Sequence, residues 1–318
     1  MHLSFAPLEG IGKYTYRVLQ AEYFGGADSY YSPFIAPDSN GNCKKADLRD
    51  VLPENNPGCH LVPQILTNSP VAFLSAARQL TDMGYKEINL NAGCPSGTVV
   101  SKHKGAGMLS DPKALDEFLS KVFDNCPASV SVKTRIGLKD ADEFPALLDV
   151  YNKYPIKSLI IHVRTREGMY KSVPDHAAFD YAIKNSSLPL CYNGNVFTLE
   201  DYTQLREKFL NLEQLMAGRG VLSNPALLRQ IKGGSALERQ ELRDFHDRYL
   251  ALSLSSGLSE HFALQRMKEH WSYWRCMFPG ENKLIKPIYK SRYLSDYRSA
   301  VDVLFAQAQF EPGAGFSF

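Results

Sequence analysis

The chain lacks paired cysteines and long apolar runs. Its six cysteines, Cys43, Cys59, Cys94, Cys126, Cys191 and Cys276, are scattered, and no two stand in a CxxC spacing. That excludes a zinc knuckle and a thioredoxin-type motif, and the scatter suits a reducing compartment. No metal site is expected. No stretch approaches the roughly 18 apolar residues of a membrane span. The opening MHLSFAPLEG has no basic n-region of a secretion signal. A cytoplasmic protein without membrane contact is expected. Net charge is also nearly absent, at +2, so the whole molecule is no polyanion binder and any basic face must be local. A glycine fingerprint is missing after the first apolar run, where APLEGIGKYT matches poorly, which weakens the case for a doubly wound open sheet.

What is present is a regular alternation. Eight short runs rich in β-branched and aromatic residues are separated by longer helical patterns. The runs are LSFA (Leu3–Ala6), DSYYSPF (Asp28–Phe34), HLVPQIL (His60–Leu66), EINLN (Glu87–Asn91), SVSVKTR (Ser129–Arg135), KSLIIHVRT (Lys157–Thr165), LPLCYNG (Leu188–Gly194) and EQLMAGRG (Glu213–Gly220). SPVAFLSAARQLTDMG opens on a Ser cap with Pro beside it and stops at Gly, SDPKALDEFLSKVFDN opens the same way, and TLEDYTQLREKFLN has a Thr cap and an acidic first turn. Only Ala36 to Cys59 reads as irregular. Eight strand–helix units in about 230 residues match an α/β fold of the (β/α)8 TIM-barrel type.

After NPALLRQIKGG the pattern changes. Gly233-Gly234 reads as a helix stop and hinge, and from Ser235 onward only helical periodicity remains. The expected division is a barrel over 1–233 and a small all-helical bundle over 234–318. Between Leu264 and Arg292 the bundle carries seven cations, Arg266, Lys268, Arg275, Lys283, Lys286, Lys290 and Arg292, against Glu269 and Glu281. Trp271, Tyr273, Trp274, Tyr289 and Tyr293 are interleaved with them. Alone this reads as a solvated helix face over an aromatic core. Beside a barrel mouth it is a candidate RNA platform.

In a TIM barrel the active site lies at the C-terminal strand ends. The polar residues there are Pro7 to Glu9, Gln64, Asn91 with Cys94, Lys133 with Arg135, His162 with Arg164, Asn193 to Asn195, and Gly218 with Arg219. Each has a plainer reading on its own: Cys94 as a small buried hydrophobe, His162 as a satisfied core histidine, Asn193-Gly194 as a turn. Barrel geometry aims them all at one cavity. NGN and AGRGVLSNP supply small residues, free N–H groups, a helix start at Asn224-Pro225 and the forked cation of Arg219, which suits a monophosphate such as that of FMN. Lys133 then lies under the ring, where a cation stabilises negative charge on a reduced flavin. Gln64 and Asn91 offer amides to a flavin edge or a pyrimidine.

With these residues in place, the chain resembles the tRNA-dihydrouridine synthases. The matching pieces are APLEG, PQIL, INLNAGCPSGTVVSKHKGAGMLSDP, SVKTRIG, IIHVRTREGMY, YNGNV and AGRGVLSNP, in the family's order and spacing, from the first strand to Pro225. RMKEHWSYW resembles the family's C-terminal RNA-binding helices. The resemblance implies FMN held by Pro7, Leu8, Glu9, Gln64, Lys133, His162, Asn193, Gly194, Asn195, Gly218 and Arg219. It implies Cys94 as the catalytic acid, NADPH as reductant and tRNA as partner. Asn91, Arg135 and Arg164 are expected on the substrate side of the barrel, and Arg266, Lys268, Lys286 and Lys290 on that of the tail. A monomer is expected.

The sequence departs from the family pattern in four places. Gly97 stands where Lys is common, with Lys102 and Lys104 as nearby cations, and Val163 interrupts the usual His-Gly-Arg-Thr. Leu8 replaces Met, and LCY precedes Asn193. Reduction of the uracil 5,6-double bond needs a hydride at C6 and a proton at C5, and a thiol with a pKa near ~8.5 is protonated at neutral pH and can donate it. Two rival readings remain at this point: another FMN barrel acting on a small metabolite, and a catalytically silent RNA-binding homologue.

Overall fold

A computed structural model describes residues 1–169 and 172–316. All eight apolar runs are strands: β1 His2–Phe5, β2 Ser29–Ile35, β3 Leu61–Ile65, β4 Glu87–Ala92, β5 Ser129–Arg135, β6 Leu159–His162, β7 Leu190–Asn193 and β8 Gln214–Ala217. They pair in parallel, each with its successor, and β8 closes on β1 through His2 opposite Gln214 and Phe5 opposite Ala217. The result is a (β/α)8 barrel followed by helices.

The intervening helices are α1 Tyr14–Tyr23, α2 Lys45–Asp50, α3 Pro70–Asp82, α4 Gly97–Val100, α5 Pro112–Asn125, α6 Phe144–Tyr151, α7 His176–Asn185 and α8 Leu199–Lys208. The cap signals act as read in α3 and α8, where the Ser69 hydroxyl accepts from the Ala72 N–H and Thr198 from Asp201. At α5 the cap is Asp111 rather than Ser110, its carboxylate accepting from Lys113 and Ala114. The segment read as irregular holds α2 and a 3-10 turn at Pro53–Asn55. Its order comes from tertiary contact. The buried Arg17 guanidinium donates to the Asp50 carboxylate at 3.0 Å, the Asp50 carbonyl at 2.7 Å and Asn56 Oδ1 at 2.9 Å.

Period-2 alternation divides each strand between lumen and helix layer. Tyr31, Val62, Ile160, Cys191 and Met216 form an inner cluster with Ala6, apart from the outer core. On the β3–β5 side the lumen is polar instead, with Gln64, Asn89 and Ser131 fully buried.

After β8 come two short helices, α9 Arg219–Ser223 and α10 Leu227–Ile231, then α11 Arg239–Ser255, α12 Glu260–Trp274, α13 Asn282–Lys290 and α14 Leu294–Gln307. These pack on α1. Tyr16 stacks on His270 at 4.8 Å, and Phe24 meets Phe245 edge-on at 5.0 Å. At Gly233-Gly234 the chain makes a turn with Gly233 at φ 86°.

Candidate active site

The strand ends open into two adjoining cavities. One holds about 160 Å³ and is lined by Pro7, Leu8, Glu9, Pro33, Phe34, Gln64, Asn91, Gly93, Cys94, Pro95, Lys133, Arg135 and His162. The other holds about 60 Å³ and continues past Lys133 and His162 to Asn193, Gly194, Gly218 and Arg219. They share Pro7, Leu8, Lys133 and His162, so one cleft runs from the thiol to Arg219.

Lys133 sits at the centre. Its Nζ donates to Asn193 Oδ1 at 2.7 Å, and Asn193 Nδ2 donates to the Met216 carbonyl at 2.8 Å, which ties β5 to β7 and β8. Burial, with the Arg135 charge beside it, pushes the ammonium down to about 7. His162 is held neutral by burial and by the fields of Arg135, Lys133, Arg164 and Arg219. Its Nε2 faces the Arg164 guanidinium at 3.4 Å; guanidinium only donates, so the ring proton belongs on Nδ1. Arg219 donates to Asn195 Oδ1 at 3.0 Å, so Asn195 supports the cation rather than lining the cleft. A Cβ on Gly218 would meet Ala6 Cβ at 3.2 Å and Leu8 at 3.5 Å, so the bare backbone is what keeps that wall open. The donor set, with cations at one end and amides at the other, fits a flat group bearing an anion.

Cys94 is held from several sides. Asn91 Oδ1 accepts the backbone N–H of Gly93 at 3.1 Å and of Cys94 at 2.9 Å. Arg135 Nε donates to the Gly93 carbonyl at 2.8 Å, and Arg166 Nε to that of Pro95 at 3.2 Å. The Ala106 N–H donates to the Cys94 carbonyl at 3.0 Å. Gly105 has φ 56°, and a Cβ there would lie 2.9 Å from Cys94 Cβ, so the GAG piece of the motif exists to let this loop pass the cysteine. Burial pushes the thiol above its ordinary range. The Ser96 N–H and the Arg135 and Lys133 charges pull it back, while Glu9 adds to the rise.

Several expected residues stand elsewhere. Arg164 is buried, its Nε on the Ser172 carbonyl at 2.7 Å, and it does not line the cleft. Asn224 is buried too, its amide bonded to Gln230 and the Ala226 N–H, and the helix expected at Asn224-Pro225 opens just after it, as α10 from Leu227. The helix beside the cleft starts at Arg219, because the chain turns at Gly218 directly out of β8. Gly97 is exposed with open space around it, so no steric demand explains the missing lysine; Lys102 is exposed and Lys104 half-buried on the same loop. Tyr170, which closes the IIHVRTREGMY piece, lies outside the described residues. Pro33 and Phe34 were missed. Their signal was a proline inside a strand, and it marks a register shift between Tyr31 and Phe34 that aims β2 at the cleft.

The tail divides by face. Trp271 and Trp274, three apart on α12, are fully buried, so they belong to the core and not to an aromatic platform. Arg266 and Lys268 line an open groove of about 740 Å³ with Gly10, Phe262 and Tyr289. Lys268 Nζ also donates to the Ser291 carbonyl. Lys283, Lys286 and Lys290 are exposed along one stripe of α13, opposite the buried Ile285 and Ile288.

The sequence model of the family described as dihydrouridine synthase (Dus) matches residues 4–284. The chain belongs to this family. A probable tRNA-dihydrouridine synthase of Staphylococcus aureus is 27% identical over 311 residues, covering 95% of this chain and 92% of that one. A tRNA-dihydrouridine(16) synthase of Pseudomonas putida is 27% identical over 283 residues, covering 85% and 86%. Among solved structures, morphinone reductase superposes with a TM-score of 0.53 at 12% identity, covering 75% of this chain and 87% of that one, which is a likeness of fold. The dihydrouridine synthase match runs through all eight strands and ends within α13, so it takes in both Cys94 and the first part of the basic helical segment. Among the described residues no helix is long and apolar enough to cross a membrane, and no cluster of His, Cys, Asp or Glu could hold a metal.

Proposed function

We propose that the protein is an FMN-dependent tRNA-dihydrouridine synthase, with a catalytic barrel over 1–233 and an RNA-binding helical part over 234–318. The observation that carries this reading is one cleft with a protonated thiol at one end and a cationic, glycine-walled recess at the other. Arg219 and the backbone at Asn193-Gly194 and Gly218 would hold the phosphate. Lys133 and Gln64 would face the ring, along a wall made by Pro7 and Leu8. Bound there, FMN would supply the hydride for C6 of uracil, with NADPH as its reductant.

The remaining work falls to the chain's own groups. Cys94 keeps its proton at neutral pH because burial disfavours the thiolate, and gives it to C5. The pinned turn fixes where that proton is offered. Arg135 keeps the Gly93 carbonyl in place and adds positive charge beside the thiol. The groove at Arg266 and Lys268 and the α13 lysines meet phosphates of the RNA, which positions one uridine at the mouth. NADPH as the reductant and tRNA as the partner rest on the family and on this charge distribution.

The test is direct. Purified protein should be yellow, with one FMN per chain. Mixing the reduced protein with tRNA lacking dihydrouridine should oxidise the flavin in a single turnover. Cys94→Ala should keep flavin and RNA binding and slow that step by about 10²–10⁴. A wild-type rate in Cys94→Ala would make the thiol structural, and reduction of small enones with no response to tRNA would favour the metabolite enzyme. Deleting the gene and mapping dihydrouridine across total RNA identifies the position.

A further inference from the structure

We propose that Asn89, which lines neither cavity, is a positioning residue for Cys94 that acts through a chain of side-chain amides inside the barrel. Asn89 and Asn91 stand two apart on β4, so both point into the lumen. Gln64 on β3, Asn89 on β4 and Ser131 on β5 are direct lateral neighbours in register. Their side chains bond in one line. Asn91 Nδ2 donates to Gln64 Oε1 at 2.7 Å, Gln64 Nε2 to Asn89 Oδ1 at 2.7 Å, and Asn89 Nδ2 to Ser131 Oγ at 3.0 Å. Gln64, Asn89 and Ser131 are wholly buried, and Asn91 is 7% exposed.

The line has a single direction. The N–H groups of Gly93 and Cys94 can only donate, so the Asn91 oxygen must face them. Its NH2 must then face Gln64, whose NH2 must face Asn89, whose NH2 must face Ser131. Turning any amide over sets oxygen against oxygen or NH2 against NH2 at hydrogen-bond distance. Such a chain strengthens its own members and leaves one arrangement for the Cys94 turn. Asn89 is its middle link. Without an acceptor there, the buried Gln64 NH2 is left without a partner, Gln64 shifts to find another, and Asn91 loses the Oε1 that holds its amide in place under the two N–H groups that aim the cysteine.

The rate arm of the test rests on Cys94 as proton donor, and the labelling arm does not. Cys94 alkylation by iodoacetamide is followed at pH 8 by peptide mass spectrometry, in the full-length protein. In Asn89→Leu, which matches the shape without the polar atoms, Cys94 should alkylate about fivefold faster or more. Single-turnover flavin oxidation by tRNA should fall about 10- to 100-fold, with the RNA concentration for half-saturation unchanged. Asn89→Asp should return both toward wild type, since a carboxyl group can still accept from Gln64 and bond Ser131. Ser131→Ala removes only the end of the line and should move both in the same direction, by about threefold. It decides the matter if Asn89→Leu does not fold. Alkylation within twofold of wild type in the folded Asn89→Leu, or in Ser131→Ala in its place, would overturn the proposal. So would a folded Asn89→Asp that behaves like the leucine. If the wild type oxidises no flavin with RNA, the assigned function fails while the labelling result still decides the role of Asn89.

Discussion

Lys133 gives the proposed flavin site a pH dependence that can be worked out in advance. In the protein without ligand its ammonium is pushed down to about 7, first by burial and then by Arg135. An anionic group in the cleft favours the charged form, so binding takes up a proton. The sign follows: full affinity belongs to pH values below 7 and is lost as pH rises through 7. If the bound state requires the ammonium, the apparent Kd rises by a factor of one plus ten to the power (pH − 7), or about 2-fold at pH 7, 11-fold at pH 8 and 100-fold at pH 9. Burial holds His162 well below its ordinary value and pushes the Cys94 thiol above its own, so both are moved away from the range in which Lys133 changes charge. The FMN phosphate, with a second pKa near ~6, is ionised throughout this window. The assay is quenching of FMN fluorescence by apoprotein from pH 7 to 9. Lys133→Met should bind more weakly and without the slope, whereas Lys133→Arg, which stays charged, should bind without the slope. A wild-type Kd constant within twofold over that range, or an unchanged slope in Lys133→Met, refutes the argument.

Replacing Lys283, Lys286 and Lys290 with Gln should lower the slope of log K against log salt for RNA. The drop should be about 0.9 for each phosphate left unneutralised on a duplex, or about 0.7 on a single strand. Lys268→Gln should change it less, because Nζ already donates to the Ser291 carbonyl; equal effects would mean that this hydrogen bond opens on binding. Arg17→Met leaves the Asp50 carboxylate buried without its cation and should cost about 3–5 kcal/mol of stability by urea unfolding. A loss under about 1 kcal/mol would show that α1 and the Lys45–Asn56 segment are held together by packing alone.

The sequence by itself determined the strand count and order, because each strand announces itself within four to seven residues and is closed by a local signal. SVSVKTR is a strand residue for residue, and Ser69 and Thr198 both cap the helices that their motifs open. The alternation along β4 and β5 also put Asn91, Lys133 and Arg135 on the lumen side, so this end of the cleft was legible. Closure of β8 on β1 was needed to set Leu8 beside Gly218 and Arg219, since those residues are some 210 positions apart. Which polar residues line the cleft and which lie behind it depends on the closed barrel. Arg164 and Asn195 look like Arg135 and Asn193 in the sequence, yet of the four only Arg135 and Asn193 line the cleft. Tertiary structure also separated the buried Trp271 and Trp274 from the exposed α13 lysines, and ordered Lys45–Asn56 around Arg17. Local signals report on the backbone within a few residues. Burial, shifted pKa values and the direction of an amide chain depend on neighbours from distant strands, and those exist only once the barrel is closed.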